Sequence, residues 1–182
     1  MFNILLDPLP DEYEGYLIRT DYRIGMQLNL CYQDADIDDG ERAYIAMSLL
    51  FGSGTPPVDL ALEALDWFMR CGAPKRTFEG TGNTTMWFDY DASRIYASFR
   101  QTFGVELHKA RLHWFEFCAM LDSVDESSSL SNAIQIRSTD TGKMQPQERA
   151  RYERLKRNLS PPPIYSQEEQ ELIDDFFSRL NH

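Results

Sequence analysis

His113 and Glu116 stand three residues apart in "LHWFEFCAML" (Leu112–Leu121), a spacing that lets an imidazole and a carboxylate meet on one helix face. A histidine oriented by an acid is the raw material of general base catalysis. Such a pair needs a nucleophile or a metal beside it, and the sequence supplies neither. His108 lies five positions before His113, about 140° round a helix at ~100° per residue, so the two make no HxxxH pair. "FGSGTPP" and "EGTGNTT" are glycine-rich, but neither carries the GKS or GKT of a phosphate-binding loop or follows a strand of a βαβ unit. Asp89 and Asp91 precede a helical pattern, where N-capping and the helix dipole account for acids. There is no GxSxG and no calcium-binding ladder. The expectation is a protein that is not an enzyme, with no catalytic, cofactor-binding or metal site and no cofactor.

The elements around that stretch read as helices. "FNILL" (Phe2–Leu6) and "YLIRT" (Tyr16–Thr20) flank the turn-forming "DPLPDEYEG" and predict a small β-hairpin. Thr20 or Asp21 caps a first helix, "DYRIGMQLNLCYQD", and "DADIDDG" breaks the chain after it. "ERAYIAMSLLFG" predicts a second helix that Gly52 stops. A third begins near Pro57 or Asp59 and repeats Leu60, Ala61, Ala64, Leu65, Phe68 and Met69 at helical spacing. "APKRTFEGTGNTT" reads as a surface loop.

Ile95, Tyr96, Phe99 and Phe103 then share one helical face, which Gly104 ends. "HKARLHWFEFCAMLDSV" predicts a helix after a short turn, antiparallel to its predecessor. Its Trp114, Cys118 and Leu121 form a seam expected to face Ile95, Phe99 and Phe103, with Phe117 to the side. The leading reading is that the aromatic cluster is core; the alternative is that one edge is exposed as a protein-binding surface. "SLSNAIQIRS" and the charged "PQERARYERLKRNL" predict two more helices, the second with Pro146 in its first turn.

"SPPP" (160–163) halts any helix, and Ser166 with Glu169 then forms a capping box. The last helix carries Leu172, Ile173, Phe176, Phe177 and Leu180 on one stripe. These five are the candidate protein-binding residues. The stripe must be covered, either by its own domain or by a second copy or partner with a groove for an amphipathic helix. The expected organisation is a mainly α protein: a helical domain with a β element over 1–159, a Pro-rich linker over 160–165, and a C-terminal amphipathic helix over 166–182.

Charge and cysteines narrow the class. The net charge is −11, and residues 1–66 hold 13 acids against three arginines. Nucleic acid needs clustered cations, so it is not an expected partner. The basic helix of Arg149, Arg151, Arg154, Lys156 and Arg157 also holds Glu148 and Glu153 and reads as solvated or partner-facing. Cys31, Cys71 and Cys118 are odd in number and far apart, which fits a reducing cytoplasm and no disulfide framework. No apolar run approaches the ~20 residues that span a bilayer, and the N-terminus lacks a signal peptide's basic start, so no membrane partner is expected.

"DYDASRIYASFRQTFGVEL" followed by "LHWFEFCAML" resembles the signature region of the bacteriophage gene-product-fifteen family, found in tailed phages and prophages of Gram-positive bacteria. "ILLDPLP…YLIRTDYRIGMQL", "ALDWFMRCG" and "AIQIRSTD" fit it too, and together they cover roughly residues 1–158. The resemblance implies a tail assembly chaperone in the cytoplasm of the bacterial host. It would bind the tape measure protein and recruit the major tail protein. Self-association through the C-terminal helix is a separate expectation from that helix's apolar stripe, which lies beyond the residues of the resemblance. The alternatives are a structural tail or connector subunit of the virion, and a phage-encoded regulatory adaptor that binds a host protein. The family transfers no site residues.

Overall fold

The computed structural model describes residues 2–75 and 84–162. The chain forms two compact units, residues 1–138 and 139–182. Among the described residues the order is β1 (Glu12–Tyr13), β2 (Tyr16–Leu17), α1 (Tyr22–Gln33), α2 (Asp39–Phe51), α3 (Val58–Met69), α4 (Ala92–Phe103), α5 (Trp114–Leu121), α6 (Ser129–Ser138) and α7 (Pro146–Leu159). The protein is mainly α with a two-stranded antiparallel hairpin near its N-terminus, as the sequence predicts. The expected loop at 76–83 and the C-terminal helix with Leu172, Ile173, Phe176, Phe177 and Leu180 lie outside the described residues.

Local chemistry sets the helix ends. The Asp21 carboxylate accepts the Arg23 N–H at the start of α1, and Asp38 accepts the Gly40 and Glu41 N–H groups at the start of α2. Gly104 closes α4 in the left-handed region at φ 69°. Arg42 of α2 reaches back and donates to the carbonyl of Cys31 in the last turn of α1 and to those of Asp34 and Ile37 in the loop that follows, which ties the loop between α1 and α2 to α2.

Two expectations need correction. The first strand of the hairpin is Glu12–Tyr13, not Phe2–Leu6. Asn3 accepts the Leu5 N–H through its side chain, and Asp7 accepts the Asn3 N–H through its own, so short polar side chains fold "NILLD" into a turn. The second concerns residues 108–113, which precede α5 and are not helical. Their neighbourhood's carbonyls are engaged by α1: Tyr22 Oη donates to Leu107 O at 2.9 Å, Arg23 Nη2 donates to Leu107 O and Ala110 O, and the Tyr22 N–H donates to Leu112 O. These bonds hold the backbone of the segment against α1 in a non-helical course. The link from α4 to α5 is therefore a packed strap rather than a short turn.

The core of the first unit lies where α5 meets α1, α3 and α4. Phe117 is its centre, not a side position: it stacks on Phe99 at 5.0 Å between ring centroids, on Tyr22 at 4.8 Å and on Trp114 at 5.7 Å. Phe115 packs against Trp67 and Phe68 of α3. Burying a ring of this size contributes roughly 1.5–3 kcal/mol. Cys118, placed in the seam by its spacing, is only half-buried. The buried face of α5 is Trp114, Phe115 and Phe117 rather than the i, i+4, i+7 stripe of Trp114, Cys118 and Leu121. Gly25 on α1 is required by this packing, since a Cβ there would stand 2.2 Å from the Trp114 indole.

In the second unit, α7 buries none of its residues. Thr141 donates to Glu153, and the Lys156 ammonium donates to Thr139 O, which ties the helix to the segment before it.

Candidate functional site

His113 and Glu116 do meet, but as a helix cap. His113 Nδ1 accepts the Phe115 N–H at 3.0 Å, and Glu116 Oε2 accepts the His113 N–H at 3.0 Å. An accepting Nδ1 places the ring proton on Nε2, which donates to Pro10 O at 2.9 Å. Burial pushes the His113 pKa down, against the pull of Pro10, Glu116 and Asp11, and so favours this neutral ring. Both ring nitrogens and the carboxylate are engaged by backbone, which leaves no base facing a substrate. The Trp114 N–H donates to Thr20 O at 2.8 Å, so the starts of α1 and α5 are stitched together next to the cap.

Asp91 also departs from expectation. It was assigned to capping and the helix dipole, yet its side chain makes no capping bond to α4. It is fully buried and accepts from Arg137 of α6 at 2.6 and 2.8 Å, from Arg94 at 2.9 Å and from the Trp87 N–H at 3.1 Å. Arg137 also lies 5.0 Å over the Trp87 ring. Burial opposes the charge on Asp91; the bonds from Arg137, Trp87 and Arg94 outweigh it and hold the carboxyl below the usual range. Every lone pair is occupied within the fold, so the group fastens α4 to α6. Asp89, by contrast, is exposed and accepts the adjacent Tyr90 N–H.

A third charged group sits on α3. Asp66 bonds Arg70 at 2.8 Å and Lys75 at 3.4 Å beside Tyr13 and Trp67, and its pKa is lowered chiefly by the Arg70 bond. Among the described residues no group of three or more His, Cys, Asp or Glu is placed to hold a metal ion. No described helix is long and apolar enough to cross a membrane.

What the surface offers is concave and partly apolar. One recess of about 490 Å³ is lined by Phe2, Ile4, Met69, Phe115, Cys118 and Ala119 among others. Another, of about 600 Å³, is lined by Met86, Leu121, Val124, Leu130 and Ile134 among others. Asp122, at the end of α5, borders both. The α5 helix therefore turns Phe117 to the core and offers Cys118, Ala119 and Leu121 to open recesses on its two flanks. Polar side chains share the lining, Arg70 in the first recess and Thr85, Ser131, Gln135 and Ser138 in the second, so each offers a partner apolar contact with polar groups beside it. Leu5 and Leu6, 88% and 81% exposed, extend the apolar surface of the N-terminal turn. Sequence reasoning missed these recesses because their walls come from segments far apart in the chain, Phe2 to Asp122 in the first and Thr85 to Ser138 in the second. The available signal was the aromatic stretch itself, with one exposed edge as the alternative to a wholly core role.

The model of the family described as Bacteriophage Gp15 protein matches residues 5–160. The chain belongs to this family. It is thus a bacteriophage protein, and the match spans both the α1/α5 junction and the Asp91–Arg137 pair. No curated protein and no solved structure matches the chain.

Proposed function

We propose that this Gp15-family protein is a tail assembly chaperone that acts by binding rather than by catalysis. Family membership supports a phage structural or tail-region protein. The observation that carries the finer reading is the pair of recesses flanking α5, each with an apolar part formed by residues such as Phe2, Met69 and Phe115 or Leu121, Val124 and Ile134. Its client is the tape measure protein, whose apolar helical segments place side chains in these recesses, and the bound chain helps assemble the major tail protein around it. The net charge of −11 keeps a client coated with many copies dispersed. The work is done in the cytoplasm of the bacterial host. The C-terminal residues Leu172, Ile173, Phe176, Phe177 and Leu180 are proposed as a second docking element, for the client or for another copy.

The test is co-expression with the tape measure protein of the same phage. The native chain raises the soluble fraction of the client, and Ala119→Glu with Leu121→Glu, which charges both recesses, removes the effect while circular dichroism stays unchanged. A folded charged variant that solubilises the client as well as the native chain overturns the assignment of the recesses. A native chain with no effect on the client, retained in purified virions, supports the structural or connector subunit instead. Capture of a host protein without tape measure supports the adaptor.

A further inference from the structure

Cys71 and Cys118 lie 47 positions apart in the sequence, yet both line the recess on one flank of α5. Cys71 follows the last turn of α3 with φ 53°, and its N–H bonds to Phe68 O at 3.0 Å. This left-handed position after a helix is one that glycine fills most easily. Here a cysteine holds it, and Gly72, also at positive φ, follows. The backbone thus fixes the Cys71 side chain at the start of the strap that leaves α3, opposite a half-buried cysteine of α5. Cys31 is buried elsewhere, with its sulfur against Arg42 O.

We propose that Cys71 and Cys118 form a redox-active dithiol site whose substrate is a low-molecular-weight disulfide and whose product is an intramolecular bridge between the end of α3 and α5. In the first step Cys71 gives its proton to water, and its thiolate attacks one sulfur of the small disulfide. The S–S bond of the reagent breaks, one thiolate leaves, and a mixed disulfide remains on Cys71. In the second step Cys118 gives up its proton and attacks the Cys71 sulfur, and the second small thiol departs. The chain loses two hydrogens and two electrons, and the reagent gains them as two thiols. The roles follow from the pair. The neighbouring Cys118 thiol lowers the Cys71 pKa against the opposing effect of burial, whereas the Cys71 neighbour and burial push the Cys118 thiol up. Cys71 is therefore the attacking sulfur and Cys118 the resolving one.

The experiment equilibrates the full chain with defined ratios of oxidised and reduced glutathione, quenches with an alkylating reagent, and maps the peptides by mass. The expected result is a monomer lighter by two hydrogens, with Cys71 joined to Cys118 and Cys31 alkylated only after denaturation. The folded chain should close the pair at least about tenfold more favourably than the chain in denaturant, which is about 30 mV of reduction potential for two electrons. Cys118→Ser should instead stop at a glutathione adduct on Cys71. Cys71→Gly, which suits the left-handed backbone, should keep the fold and lose both products. The proposal is overturned if both thiols stay alkylatable at every ratio, if the bridge forms no better folded than unfolded, or if oxidation gives only intermolecular products.

Discussion

At the α1/α5 junction the side chains between the helices are aromatic and aliphatic, and the polar atoms are the backbone groups stitched around His113 and Asp21. At the α4/α6 junction the side chains of Asp91 and Arg137, 0% and 3% exposed, hold the helices together. The first junction rests on burial of rings, which needs shape and tolerates no extra carbon at Gly25. The second rests on a pair of charges that must be present together, since either one alone would be buried without its partner. The same unit therefore contains one joint sensitive to volume and one sensitive to charge.

Breaking the charge pair should give the largest effect. Arg137→Met leaves Asp91 with Arg94 and the Trp87 N–H alone and should cost about 3–5 kcal/mol by urea unfolding. Adding Asp91→Leu to the same chain should recover most of that loss, which marks the pair as a fastening rather than a reactive group. Phe117→Ala should cost a similar ~3–5 kcal/mol, and no second substitution in the cluster should recover it. Gly25→Ala, driven against the Trp114 indole, should cost about 1–3 kcal/mol despite the better helix propensity of alanine. His113→Ala removes one cap acceptor and should cost about 0.5–2 kcal/mol.

The pH axis sharpens the contrast further. His113 titrates below its ordinary 6.5 in the folded chain, so its contribution is intact above that value and is lost as pH falls from 6.5 through the depressed one. Asp91 titrates below its ordinary 3.8, so its contribution holds above 3.8 and is lost only as pH falls through the lower folded value. In an acid titration followed by unfolding, the aromatic junction should weaken first, and His113→Asn should remove that earlier step. The smallest expected effect is at the N-terminal turn, where Leu5→Ser with Leu6→Ser should change stability by no more than about 0.5 kcal/mol.

The two junctions were not equally legible in the sequence. Helix starts and stops were readable from Asp21, Gly52, Gly104 and Pro146, because capping is settled within a few residues. The aromatic core was readable as core, but its centre was not. Phe117 looked lateral because α5 was drawn as a long helix that included His108, and only the bonds from Tyr22 and Arg23 show why that segment is a strap. His113 and Glu116 carried a capping box that was read as possible acid–base chemistry, since histidine is not the usual capping residue. The Asp91–Arg137 pair was invisible, because an arginine ending "AIQIR" gives no sign of a partner 46 positions earlier. The thiol pair was hidden for the same reason. The tail stripe at 172–180 was legible as amphipathic, and the chain ending at Ser160 compared with the full chain by light scattering gives the expected difference: only the full chain self-associates.

On the proposed function, the protein binds the tape measure protein during assembly and leaves before the particle matures. The most direct test is quantitative mass spectrometry of tape measure complexes captured from infected cells beside purified virions of the same phage. The account predicts many copies of this chain on the assembling tape measure and none in the mature particle. A fixed copy number in the virion, with no enrichment on the assembling tape measure, would contradict it.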